Sequence, residues 1–177
     1  MTVDVILNEW HTGMRIRHIA HCRAATYYTC LNRVFGIPVV IFSTIVGTTA
    51  FARMDADVPN TTVRVMFGIL SISAAVLAAL QTFFNFAELA EKHRIFAARY
   101  GCLRRDIEHE QAFPPAADAL SDLMTTLEKS WNALDESAPS LPQRIYDRAQ
   151  AEVERERGRL APRPRAWRDL PGGEGVN

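Results

Sequence analysis

The sequence predicts an all-α membrane protein, with a two-helix transmembrane hairpin and a cytoplasmic helical bundle. Three observations predict it. Residues 34–52 and 65–87 are runs of 19 and 23 residues without a charge, so all 40 charged residues lie outside them. At ~1.5 Å rise per residue these runs reach about 28 and 34 Å as helices, against a hydrocarbon core of roughly 30 Å. The segments around them read as helices, each with one apolar stripe and a polar remainder.

Residues 1–13 show no clear period and form a separate N-terminal segment. Val5, Ile6 and Leu7 fit a short helix or a surface-lying anchor. From Met14 the sequence MRIRHIAHCRAATYYTCLNR has no Pro or Gly and predicts a helix over 14–33. Tyr27 and Tyr28 fall where amphipathic aromatics settle at a membrane interface, and Arg33 anchors the start of the first span.

The first run holds ten Leu, Ile, Val and Phe residues and the second holds eleven. At about −0.3 to −0.6 kcal/mol each, either run gains roughly 3 to 6 kcal/mol on insertion before polar residues are subtracted. Pro38 sits near the start of the first span, where a missing N–H costs least, and Gly36 with Pro38 allows a bend. The connecting residues 53–64 number 12, with a turn signal at Pro59-Asn60, so the spans are antiparallel neighbours. Gln81 and Asn85 weaken the second span.

Past the second run, residues 88–112 predict an amphipathic helix with Leu89, Phe96, Tyr100, Leu103 and Ile107 near one face. Nothing at Ala87-Glu88 breaks the chain, so span and following helix read as one rod. Pro114-Pro115 ends it. A helix over 116–137 carries Leu120, Leu123, Leu127, Trp131 and Leu134 in a heptad-like stripe. Pro139 and Pro142 break again, and Ser140 is a candidate N-cap for a last helix over 141–157, with Ile145, Ala149 and Val153 on one side. Seven of the twenty residues 158–177 are Gly or Pro, which predicts a disordered tail. Residues 14–157 thus make one domain, and the helix over 14–33 returns to the side of the later helices to pack with them.

Charge sets the orientation. Arg15, Arg17, Arg23 and Arg33 precede the first span, and Lys92, Arg94, Arg99, Arg104 and Arg105 follow the second. The connection holds only Arg53 and Arg64, offset by Asp55 and Asp57. Both termini are therefore expected in the cytoplasm of a multi-pass protein. A net charge of zero gives no field for nucleic acid. Three cysteines, Cys22, Cys30 and Cys102, show no CxxC pair and indicate neither a disulfide framework nor a zinc site.

Enzymatic chemistry finds little footing. There is no phosphate-cradling glycine loop, no GxSxG and no HExxH. His18, His21 and Cys22, with Glu88 or Glu91, are a conceivable metal set, but a polar face near headgroups explains them as well. Glu88, Glu91 and His93 lack the Glu-x-x-His spacing and the second copy of a di-iron helix bundle. Cys102, beside Arg104 and Arg105, reads as a structural thiol. No enzyme activity, cofactor or metal is expected.

The stronger signal is at membrane depth. Ser71, Ala74, Ala75, Ala78, Gln81, Thr82 and Asn85 share one side of the second span, and Glu88 continues the row. On the first span Ser43, Thr44, Gly47 and Thr48 form a small polar patch, with Ser43 and Gly47 at small-xxx-small spacing. Polar groups at this depth face another helix or water. The candidate pore-lining or helix-interface residues are therefore Ser43, Gly47, Thr48, Ser71, Ala78, Gln81, Asn85 and Glu88. Either they only join helices, or several hairpins assemble around a pore, since one hairpin encloses nothing.

The stretches RIRHIAHCRAATYYTCLNRVFGIPVVIFSTIVGTTAF and ILSISAAVLAALQTFFNFAELAEKHRIFAARYGCLRRDIE resemble the SLATT family, the SMODS- and SLOG-associating two-transmembrane effector domains. The likeness rests on the basic helix leading into the first span, Gly36-Ile37-Pro38, and the run Ser43 to Gly47. It also rests on Gln81-Thr82-Phe83, the helix from Glu91 to Tyr100, and the segment Ala138 to Tyr146. Together these cover about residues 14 to 155. The resemblance implies a bacterial conflict-system effector that forms pores in, or otherwise damages, the inner membrane. It implies a homo-oligomer in the lipid bilayer, and a separately encoded nucleotide-signal synthase or nucleotide sensor as partner. The alternative is a non-enzymatic anchor that presents a cytoplasmic helical platform.

Overall fold

The computed structural model describes residues 3–52, 61–113 and 117–160. Five helices account for nearly all of them: α1 (Val3–Ala52), α2 (Thr61–Phe84), α3 (Phe86–Ala112), α4 (Ala117–Ser137) and α5 (Gln143–Leu160). No strand occurs among the described residues. The connection 53–60, with its turn signal, the Pro114-Pro115 break and residues 161–177, the bulk of the expected tail, lie outside the described residues.

α1 departs from the expected start at Met14. It begins at Val3 and runs 50 residues through Pro38. The physical reason lies in the first turns: Leu7 and Met14, seven residues apart, are both buried, and Val3 and Trp10 pack against the same core. Residues 1–13 are thus no separate segment from Val3 onward. Gly13 hides this period from the sequence, and the structure needs it there: a Cβ would come within 2.9 Å of the Trp131 ring.

Two apolar clusters hold one end of the molecule. In the first, Leu7 and Met14 of α1 meet Phe96, Tyr100, Leu103 and Ile107 of α3 and Leu127 of α4. In the second, Ile16 and Ala20 of α1 meet Ala149 and Val153 of α5. The stripes expected on the later helices supply these residues, except that Leu89, Leu120 and Ile145 are half-buried and lie outside both clusters. Ion pairs tie α5 down, Arg15 to Glu156 and Arg23 to Glu152. His11 reaches Glu108 of α3 at 2.8 Å. Met14→Ala should cost about 2–5 kcal/mol, because Met14 is fully buried and its removal leaves a cavity among α1, α3 and α4. Thermal unfolding in detergent reads that loss.

The last helix begins differently from expectation. The Pro142 carbonyl accepts from the Ile145 and Tyr146 amides at 2.8 and 3.3 Å. Pro142, not Ser140, therefore sits at the N-terminal boundary of α5.

α2 and α3 are not one unbroken rod. Asn85 between them adopts φ 44°, ψ 49°, the left-handed region. It is the one positive-φ non-glycine residue among those described. Hydrogen bonds from the Asn85 amide to the Gln81 carbonyl and from the Leu89 amide to the Asn85 carbonyl, 3.1 and 3.2 Å, carry the helix across the interruption. Asparagine tolerates this backbone better than other side-chain-bearing residues.

Two helical stretches are long and apolar enough to cross a membrane. They lie within residues 5–49 and 61–112, with mean hydropathy 1.7 and 2.1. Their most apolar windows are 0% and 6% buried, unlike the core helix of a soluble domain. Val34, Ile37, Val40, Ile41 and Ile45 on α1 are exposed, as are Met66, Ile69, Ile72, Val76 and Phe83 on α2. So large an exposed apolar band fits contact with lipid or with further copies of the chain.

Candidate functional site

Two places concentrate polar groups in unusual surroundings: the seam between α1 and α2, and the contact between α1 and α3 below it.

The seam is built from small residues, which let the two helices come close. Ser43, Val46 and Gly47 of α1 and Ser71, Ala74, Ala75 and Ala78 of α2 line a cleft of about 360 Å³. Its wall at Gly47 is open, because a Cβ there would meet nothing within 4 Å. The Ser43 and Ser71 hydroxyls make no hydrogen bond among the described residues, although both border the cleft. Other hydroxyls at this depth are satisfied locally. Thr44, Thr48, Ser73 and Thr82 each donate to the carbonyl four residues earlier, at 2.7–3.0 Å.

The structure divides the eight expected residues. Ser43, Gly47, Ser71 and Ala78 come together in the cleft. Gln81 turns to α1, where its amide donates to Asn32 Oδ1 at 3.2 Å and packs on Gly36. Thr48 is bonded to its own helix. Asn85 and Glu88 sit at the interruption, bonded to each other, and Glu88 also pairs with Lys92 at 2.6 Å. The expected polar row is thus split by what each member finds as a partner.

Below the seam, His21 of α1 and His93 of α3 meet Nδ1 to Nδ1 at 2.9 Å, both buried. Rings enclose them. Tyr100 stacks on His21 at 5.3 Å and Tyr28 on His93 at 5.4 Å. The Tyr100 hydroxyl donates to Asp135 Oδ1 at 2.6 Å. Asp135 of α4 also accepts two bonds from the Arg17 guanidinium at 3.0 Å and one from Trp131 Nε1 at 2.9 Å. Arg17 lies over the Trp131 ring as well.

Burial dominates the electrostatics here. It pushes the His21 imidazole down to about 4, helped by the neighbouring His93 and the Arg17 charge. Burial also lowers His93. Tyr100 is raised, first by burial and then by its bond to the Asp135 carboxylate. Both imidazoles are therefore neutral at neutral pH, and Asp135 is the ionic clamp that joins α4 to α1 and α3. Asp135→Asn should cost about 1–3 kcal/mol, because it removes the charge facing Arg17 and turns an amide toward donors. The measurement is chemical denaturation in micelles, with Tyr100→Phe showing a smaller loss from one bond.

Of the conceivable metal residues, His18 and Cys22 contact each other, Nε2 to Sγ at 3.9 Å, and the rest are engaged elsewhere. His18 Nδ1 contacts the Ala97 carbonyl at 2.7 Å, and Glu91 pairs with Arg94 at 2.9 Å. Among the described residues no group of three or more His, Cys, Asp or Glu converges on one point. The three cysteines are free and exposed. Sequence reasoning named His21 and His93 apart from one another and missed their pairing. No local signal could give it, since they lie 72 residues apart.

No protein-family model matches the chain, and no curated protein or solved structure is significantly similar to it.

Proposed function

We propose that this chain is a two-span inner-membrane effector of the SLATT type, which oligomerises and permeabilises the membrane in a bacterial conflict response. One observation carries the reading. A cleft bordered by two hydroxyls without partners among the described residues, Ser43 and Ser71, runs between two helices whose surface is otherwise largely apolar and unburied. Polar groups without partners are costly against lipid, so a neighbouring copy or water meets them. Several hairpins with clefts turned inward would line a path for water and ions. The positive residues before α1's apolar half and along α3 support both termini on the cytoplasmic side. There the packed helices would meet a nucleotide-signal synthase or sensor encoded separately, as the family resemblance implies. No nucleic acid, cofactor or catalytic step enters this reading.

A second reading has its own support. The threonine hydroxyls of the spans are satisfied by their own helices. On that ground the hairpin is an anchor, and the packed helices are an interaction platform. Membrane potential after induced expression separates the two, read with a voltage-sensitive dye in cells with and without phage challenge. Depolarisation supports the effector. Full insertion with an unchanged potential in both conditions leaves the anchor.

A further inference from the structure

Permeation by the spans makes no use of the two buried imidazoles, yet they join the two longest packed elements directly below the apolar pair. We propose that the His21–His93 contact is a proton-operated latch between α1 and α3, closed while the pair carries at most one added proton and opened by the second.

The geometry sets the count. Nitrogens 2.9 Å apart need one N–H donor and one bare acceptor. The neutral pair provides both. A first proton from solvent goes to Nε2 of the donor ring, and the Nδ1 contact survives. A second goes to the bare Nδ1 of the acceptor ring. Two N–H groups then face each other, and two like charges lie side by side in a buried site. Two protons are taken up and nothing else changes covalently.

The surroundings hold the latch closed near neutrality. From α1, Arg17 opposes added positive charge, and the Tyr28 ring covers His93. From α3, Phe96 and Tyr100 cover His21. From α4, Asp135 favours protonation but is already engaged by Arg17, Tyr100 and Trp131. The α5 carboxylates Glu152 and Glu156 are taken by Arg23 and Arg15. His18, one turn from His21, is held on the Ala97 carbonyl.

A column of rings links the latch to the spans. His93 stacks on Tyr28, and Tyr28 on Phe86 at 6.5 Å. Phe86 stacks on Phe35 of α1 and Phe84 of α2, at 5.6 and 5.3 Å. Phe86 directly follows Asn85, where the α2–α3 helix is already interrupted. Loss of the imidazole contact therefore loosens α3 against α1 on the side nearest the spans, where α2 can change direction, while the apolar cluster and the His11–Glu108 pair hold the far end.

The test reads a distance and not a conductance, so its failure is distinct from failure of the pore reading. The native thiols Cys30 on α1 and Cys102 on α3 are exposed and accept nitroxide labels in the full chain, with Cys22→Ser removing the third. In nanodiscs, electron–electron distance measurement should give a narrow distribution at about pH 7.5 and a longer, broader one at about pH 4. His21→Phe/His93→Phe keeps rings in both places, and its distribution should be the same at both pH values. An unchanged wild type at low pH, or a double variant that shifts as the wild type does, overturns the latch. If the double variant does not fold, His93→Phe serves alone. It leaves no acceptor for a second proton, so a wild-type shift in it also overturns the proposal.

Discussion

Expression of the wild-type chain should depolarise the host membrane, and Ser43→Leu/Ser71→Leu should insert equally well and leave the potential intact. The two serines border the cleft of about 360 Å³ and have no hydrogen-bond partner among the described residues. Leucine fills that space and removes both hydroxyls, while it favours insertion by several tenths of a kcal/mol per site. Every ~1.4 kcal/mol added to the barrier cuts flux about tenfold. Loss of two hydroxyls from each copy in a ring repeats that penalty around the path. Gln81→Leu is the informative contrast. Gln81 spends its amide on Asn32, so its loss should loosen the α1–α2 contact by about 1 kcal/mol and spare much of the flux. A double serine variant that still depolarises, at equal insertion, would remove the cleft from the conduction path.

Stability in micelles should be flat between about pH 7 and 8, below the range where the raised Cys22 and Tyr100 begin to count, and fall as pH drops from 6.5 toward 4. In the unfolded chain both imidazoles take up protons near their ordinary value of 6.5, whereas the folded His21 waits until about 4 and His93 is lowered too. The unfolded state thus binds more protons in that window, and stability declines with acid. The slope approaches about 1.4 kcal/mol per pH unit for each proton in excess. Carboxylates add their share only further down. The His11 bond holds Glu108 below the usual carboxylate range, so its stabilisation is lost only in stronger acid. The interval between about pH 6.5 and 5 therefore isolates the histidines. His21→Phe/His93→Phe should flatten it. A flat wild-type profile there would mean that the buried pair titrates like free imidazole.

The sequence made some of this legible and concealed the rest for physical reasons. The two charge-free runs announce themselves, because insertion demands length and apolarity along one continuous stretch. The α3 stripe of Phe96, Tyr100, Leu103 and Ile107 is equally plain, since its period is local. The interruption at Asn85 carries no Pro or Gly to mark it. Asparagine only permits the left-handed backbone, and packing decides whether it is used. The start of α1 was masked by Gly13, whose lack of a Cβ serves Trp131 more than a hundred residues away. The Arg17–Asp135 clamp and the imidazole pair are contacts across 118 and 72 residues. No window of residues contains both partners. Of the candidate site, residue types and depth were readable, but which polar groups would find local partners was not.

Fifty residues of continuous helix give α1 a length of about 75 Å, and they make its two halves one screw thread. Any insertion or deletion between Cys30 and Val34 is therefore a change of phase. One added residue turns the serine-bearing face by about 100° against the packed end and lifts it about 1.5 Å, while seven nearly restore the original angle. Homologous chains that vary in this stretch should be able to do so only in steps of whole turns, so the spacing of gaps becomes a reading of which face of α1 selection keeps aligned.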